Sequence, residues 1–244
     1  MKRRDSTQTP MLWDHLSPWI FPVRHGTGSQ LIYVDLDISQ HADQEALPWL
    51  DPMEVERWKR YQVERSKREF SLCRAALRQL LCKHLRCENA QLCFPTQPHG
   101  KPYAMVDGKR VSIEFSVTHS DPHGLIMIAD HARVGIDVET PKAQRDYDAI
   151  AKMIFSPDEY ADILSLTGQA KTDQFYRIWT FKEALVKAVG DGLSRNLTKI
   201  EILPSFRLGG QKGVIEFPES SGKRWILEDL STQKYAAASA MEIL

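Results

Sequence analysis

Two short stretches leave this chain the least conformational freedom: Val134-Gly135-Ile136-Asp137-Val138-Glu139 and Trp179-Thr180-Phe181-Lys182-Glu183-Ala184-Leu185-Val186-Lys187. In the first, the β-formers Val134, Ile136 and Val138 alternate with Gly135, Asp137 and Glu139, which predicts a strand. A period of two sets both carboxylates on the face opposite the apolar residues, about 6.5 Å apart along the strand. One hard divalent cation can sit between two such groups. The second stretch has a helical period. Ile178, Phe181, Leu185, Ala188 and Val189 share one face, while Glu183 and Lys187 lie i,i+4 on the other. Each element also has an ordinary reading. Asp and Glu on a strand mark the solvated face of a sheet, and a Glu/Lys pair at that spacing is a surface ion pair worth roughly 0.2–0.5 kcal/mol.

Composition sets the outer bounds. The 244 residues are 42% hydrophobic, enough for one large core or two small ones. Lys+Arg and Asp+Glu balance at 32 each, so no net field favours nucleic acid or an anionic membrane, and neither is expected as a partner. No apolar run approaches the ~20 residues that cross a bilayer. The basic start, Met1-Lys2-Arg3-Arg4, lacks an apolar segment behind it and is not a secretory signal. Cys73, Cys82, Cys87 and Cys93 cluster without C-x-x-C spacing and read as buried, reduced thiols of a cytoplasmic protein.

Residues 1–30 carry Pro10, Pro18, Pro22, Gly26 and Gly28 and read as a loose N-terminal arm, with Trp13, Trp19 and Phe21 able to pack on the body. Leu31–Ile38 is a strand whose Asp35 and Asp37 form a solvated face. Asp51-Pro52 opens a helix reaching about Tyr61, and a second helix buries Leu72, Ala75, Ala76, Leu80 and Leu81. Basic residues from Arg57 to Arg78 stud both helices. Pro98–Tyr103 is a turn, and Ile113–Ser120 a strand that ends in hydroxyls and a histidine. The apolar run Gly124–Ala129 is a buried strand that leads through Asp130-His131 into the carboxylate strand, so the two are expected to pair antiparallel. Ser156-Pro157-Asp158-Glu159 is a capping-box helix start, and Gly190-Asp191-Gly192-Leu193 a glycine stop. Residues 214–217, 224–227 and 235–241 form a terminal three-stranded meander. Runs of each type, joined by hairpins, indicate an α+β fold.

Gly135-Ile136-Asp137-Val138-Glu139, followed about forty residues later by Trp179-Thr180-Phe181-Lys182-Glu183-Ala184 and then Lys187, resembles the paired signature of the 4′-phosphopantetheinyl transferases. Within that family it is similar to the surfactin-synthetase type, and the resemblance covers roughly residues 50–240. It implies two similarly built α+β halves, here 31–130 and 131–244, with the active site at their junction. It also implies an activity: a cytoplasmic monomer transfers 4′-phosphopantetheine from coenzyme A to a serine of an apo acyl, polyketide or peptidyl carrier protein, releasing 3′,5′-ADP. Mg²⁺, or Mn²⁺ in its stead, would be held by Asp137, Glu139 and Glu183. Glu183 would act as general base, and Lys187 would neutralise charge on the bridging oxygen. Lys101, in a Gly-Lys-Pro segment, would contact coenzyme A phosphate. Phe115-Ser116-Val117-Thr118-His119-Ser120 resembles the family's Phe-Asn-x-Ser-His-Ser, with Ser116 in place of Asn and Thr118 in place of Ser. Thr118 and His119 would then meet the pyrophosphate. Arg57, Arg68 and Arg74 are the candidates for the 3′-phosphate.

Ile150, Met153 and Ile154, at i, i+3 and i+4 with Lys152 beside them, form an apolar stripe one turn long. It either packs into the core or receives the carrier protein. Two other activities use the same features. A metal-dependent nucleotide phosphohydrolase needs the carboxylates but leaves the Gly-Lys-Pro and Thr-His-Ser segments without a role. A non-catalytic carrier-binding module would keep the fold and lose the metal ligands, all of which are present.

Overall fold

The computed structural model describes residues 16–244 except 27, 39–40, 99, 143–145, 191–195 and 217–221; Trp13, the segment 191–193 and Phe217 lie outside the described residues. The chain begins with β1 (Ile20–Gly26), β2 (Ser29–Asp35), α1 (His41–Ala46), α2 (Pro52–Arg60) and α3 (Glu64–Leu85). The short strands β3 (Leu92–Cys93), β4 (Met105–Val106) and β5 (Lys109–Arg110) precede β6 (Ile113–Ser120), β7 (His123–Asp130) and β8 (Val134–Glu139). Then come α4 (Tyr147–Ile154), α5 (Pro157–Leu164), α6 (Gly168–Val189), α7 (Pro204–Arg207), β9 (Lys212–Glu216), β10 (Arg224–Asp229) and β11 (Ala236–Glu242). No helix among the described residues is long and apolar enough to cross a membrane.

Two 22-residue helices, α3 and α6, each bury a face on a four-stranded antiparallel sheet. The sheet orders are β1-β2-β7-β6 and β8-β11-β10-β9. Strand alternation distributes the core. On β7, Ile126 and Ile128 point into the cluster under α3, while Leu125, Met127 and Ala129 point the other way. There they meet Val134, Ile136 and Val138 of β8 and Ala237 of β11. The opposite face of β11, Ala236, Ala238 and Ala240, lies under α6 with Phe181, Ala184, Leu185 and Ala188. The result is an α+β molecule in which the two sheets pack on each other through one apolar layer and each carries its helix on the outside.

Four expectations are revised by this packing. Residues 20–26 are not part of a loose arm: they pair with β2 as an edge strand, and Trp19 is fully buried in the core beneath α3. Proline at 22 is tolerated there because an edge strand leaves one side unpaired. β7 and β8 do not pair with each other, because both edges of β7 are taken by β2 and β6, so the chain crosses to the second sheet after Asp130. Asp137 is not on a solvated face; the face it shares with Gly135 is covered by α6. The four thiols are free, but only Cys73 is buried, and Cys93 is exposed. The terminal meander does form, in the order β11-β10-β9 and extended by β8.

Gly135 sets the distance between α6 and β8. A Cβ there would lie 2.0 Å from the Ala184 carbonyl oxygen and 2.4 Å from the Ala188 nitrogen. Both obstacles are helix backbone and cannot rotate away. Gly135→Ala is therefore expected to cost at least the upper end of the roughly 1–3 kcal/mol typical of overpacking. A denaturant titration reads this directly, and a midpoint within error of the parent would refute the close packing.

Candidate active site

The glycine contact brings the last turns of α6 over β8, where Asp137 and Glu183 come together, with Glu139 at the end of the strand. Asp137 is 4% exposed. Its Oδ1 accepts from Lys187 Nζ at 2.6 Å and from Thr118 Oγ1 at 3.2 Å. Lys187 thus reaches across to the strand rather than forming a surface pair on its own helix. Asp137 Oδ2 and Glu183 Oε1 are buried and have no hydrogen-bond partner among the described residues. Burial pushes the Glu183 carboxyl above its ordinary value, and the charges of Asp137 and Glu139 push the same way, against Lys187. Burial likewise raises Asp137, opposed by Lys187 and Thr118. Glu139 is half-buried at the end of β8.

Among the described residues no three His, Cys, Asp or Glu side chains are grouped as a complete metal cage. Asp137 and Glu183 nevertheless present the donors that suit a hard cation: two carboxylate oxygens, desolvated and unsatisfied, with Glu139 close enough to shift Glu183. Mg²⁺ is commonly held this way, by one or two carboxylates, waters and substrate phosphates.

Beside this cluster lies a cavity of about 410 Å³ between the two sheet-and-helix units, lined by Arg57, Arg74, Lys101, His119, Glu183 and Lys187, among others. The Arg57 guanidinium sits 5.0 Å over the Phe70 ring. Arg74 stacks over Phe94 at 4.9 Å and pairs with Glu54 at 3.3 Å, and its Nη1 is buried without a hydrogen-bond partner. Lys101 donates to the carbonyls of Val134 at 3.1 Å and Ala188 at 3.2 Å, and lies 3.5 Å from Glu114. Burial lowers its pKa, and Glu114 partly offsets this. His119 Nδ1 lies 3.4 Å from Glu69.

Two sequence-level candidates stand elsewhere. Arg68 does not line the cavity; it is held by the carbonyls of Leu36 and Ile38 and by Asp43 at 2.5 Å. Thr118 is directed at Asp137 and Lys187. The apolar stripe on α4 divides: Met153 is 77% exposed, whereas Ile150 and Ile154 are half-buried against the core under α6.

Sequence reasoning passed over Lys182. It is fully buried, paired with Glu159 at 2.7 Å, and donates to the carbonyls of Leu197 at 2.8 Å and Ile200 at 2.7 Å. Glu159 also accepts from the backbone of Ser156 and Ile202. A lysine on the apolar side of a helix next to Phe181 was the available signal. Tyr61 and Phe70, which also line the cavity, carried none.

Residues 133–240 match the family model of the 4′-phosphopantetheinyl transferase superfamily. A Synechocystis protein described as a 4′-phosphopantetheinyl transferase is 39% identical over 151 residues, which span 62% of this chain and 61% of that one. The 4′-phosphopantetheinyl transferase HetI of Nostoc is 32% identical over 69% of this chain and 71% of its own length. The 4′-phosphopantetheinyl transferase Sfp of Bacillus subtilis is 29% identical over 80% and 83%.

The raised Glu183 carboxyl fixes the sign of a pH effect. Below its ordinary pKa of 4.5 the group is protonated whether the chain is folded or not, so it costs nothing. As pH rises through the window between 4.5 and the raised folded value, the unfolded chain ionises first, and stability falls. Glu183→Gln is therefore expected to melt higher than the parent at pH 8 in chelator, with the difference shrinking as pH falls toward 4.5. A difference that is constant across that range would remove the electrostatic explanation.

Proposed function

We propose that the chain, which belongs to the 4′-phosphopantetheinyl transferase superfamily, acts on carrier proteins, and that the residues at the β6–β8–α6 junction carry phosphopantetheine from coenzyme A, the family's co-substrate, to a carrier serine. One observation carries this reading. Glu183, with a buried and unsatisfied carboxylate oxygen, and Lys187, which pairs with the likewise unsatisfied Asp137, line a cavity whose other walls bear Arg57, Arg74, Lys101 and His119. Carboxylates for a cation beside cations for phosphates are what a phosphoanhydride with its metal requires.

Arg57 and the orphaned Nη1 of Arg74 suit the 3′-phosphate, and His119 with Lys101 suits the pyrophosphate, Lys101 exchanging a carbonyl partner for the anion. Asp137 and Glu183, with Glu139 as third ligand, would hold Mg²⁺ or Mn²⁺. Bound there, the ion supplies charge withdrawal from the phosphorus and stabilises the departing 3′,5′-ADP. The serine oxygen forms its bond to the phosphorus that carries pantetheine, and the bond from that phosphorus to the bridging oxygen breaks. Glu183 accepts the serine proton, directly or through a water; its desolvated setting strengthens it as a base. Lys187 neutralises charge growing on the bridging oxygen. The two sheet-and-helix units, divided between residues 130 and 131, are read as two similarly built halves of a cytoplasmic monomer.

The carrier is assigned to α4. Met153 offers a soft apolar side chain at the surface beside exposed Lys152, which suits an acidic partner helix.

Intact-mass spectrometry of an apo carrier protein incubated with the chain, coenzyme A and Mg²⁺ tests the whole. The carrier should gain the phosphopantetheine mass; phosphate release from the nucleotide with an unmodified carrier would instead make the chain a hydrolase. Arg57→Ala is expected to raise KM for coenzyme A roughly tenfold with kcat nearly unchanged, and to leave dephospho-coenzyme A unaffected. An equal loss with both substrates would return Arg57 to the solvated surface. Met153→Asp should raise KM for the carrier several-fold and leave that for coenzyme A alone. Its melting temperature should stay within about 2 °C of the parent, as for other surface changes. A larger drop would make Met153 a core residue.

A further inference from the structure

β8 pairs with β11 along one edge, so alternate N–H groups on its other edge need partners from outside the sheet. Hydroxyl side chains take them. Ile136 N–H donates to Ser116 Oγ at 3.1 Å, Val138 N–H to Thr118 Oγ1 at 3.3 Å, and Thr140 N–H to Ser120 Oγ at 2.9 Å. These hydroxyls alternate along β6, the edge strand of the other sheet, so one face of β6 grips one edge of β8 with a period of two.

Thr118, the middle rung, has a second task. Besides Val138 N–H, its oxygen accepts from Lys187 Nζ at 3.1 Å, and its own proton is donated to Asp137 Oδ1 at 3.2 Å. A hydroxyl has two lone pairs and one proton. All three are used, and none is left for a phosphate. With Oδ1 held by Thr118 and Lys187, Oδ2 is the oxygen of Asp137 left without a partner.

We propose that Thr118 is a positioning residue, not a phosphate ligand: it fixes the Asp137 carboxylate so that Oδ2 faces the metal. This rests on the metal site of the preceding section. Partners of this kind are worth roughly 10–100-fold in metal affinity when removed. Mn²⁺ affinity, measured by electron paramagnetic resonance on the full chain without coenzyme A or carrier, is the readout. Thr118→Val keeps the volume and removes the hydroxyl, and should weaken Mn²⁺ binding about tenfold or more. Thr118→Ser should restore it to near the parent. Ser120→Ala removes a rung that touches no carboxylate, and should lower the melting temperature without changing Mn²⁺ affinity.

Parental Mn²⁺ affinity in Thr118→Val, with a raised KM for coenzyme A, would overturn the proposal and make Thr118 a phosphate contact. Thr118→Ser as weak as Thr118→Val, or Ser120→Ala as weak as either, would overturn it in favour of a purely structural ladder. A parent chain that binds no Mn²⁺ would overturn the metal reading itself, and this inference with it.

Discussion

The contact of helix backbone on Gly135 is the constraint from which the site follows. With any side chain at 135, α6 would stand off β8, and Glu183 and Lys187 would be carried away from Asp137. Close approach also explains why these charges are buried. A helix lying directly on a strand buries Asp137, and Lys187 and Thr118 supply the partners of its Oδ1. Lys101 closes the same joint from the side, since its ammonium bridges a carbonyl at the start of β8 and one in the last turn of α6. That last turn is the negative end of the helix dipole, which favours a cation there.

Two lysines on α6 illustrate how context separates scaffold from chemistry. Lys182 is enclosed by Glu159 and backbone carbonyls, a fully satisfied ion pair that ties α4, α5 and the 197–202 segment to the helix. Nothing in that environment invites a ligand, and removing one partner would strand the other charge in the core. Lys187 keeps about a third of its side chain exposed and faces more carboxylate than it can neutralise. An imbalance of that kind favours uptake of positive charge, and the raised Glu183 carboxyl is one expression of it. Folding tolerates the strain because the rest of α6 is anchored through Phe181, Leu185 and Ala188.

Local rules made much of this visible before any coordinates. The alternation at 134–139 placed the carboxylate strand, the helical period around 179–187 placed its partner, and the capping pattern at Ser156 placed α5. The misreadings share a cause: each turned on which element covers a face. Alternation told Asp137 from Val138 but not that both faces of β8 are buried, because the burying helix begins 29 residues after β8 ends. Consecutive β7 and β8 looked like a hairpin, since nothing local records that the edges of β7 are already filled. Arg57, Arg68 and Arg74 were indistinguishable as basic helix positions; only the packing of α3 turns one of them toward the carbonyls of residues 36 and 38. The alternating hydroxyls at 116, 118 and 120 were legible in principle, and they gain meaning only beside an unpaired strand edge.

The side-chain rungs between β6 and β8 also bear on what happens if the chain is cut. Severed between its two sheets, the second portion would display the uncovered edge of β8, a hydrogen-bond-competent border with apolar residues next to it, the arrangement that recruits further copies of itself into growing stacks. The intact molecule lays the hydroxyl face of β6 along that border. Covalent continuity through Asp130–Arg133 thus acts as a solubility device as well as a connector, holding the first sheet as the permanent cover of the second's most adhesive side.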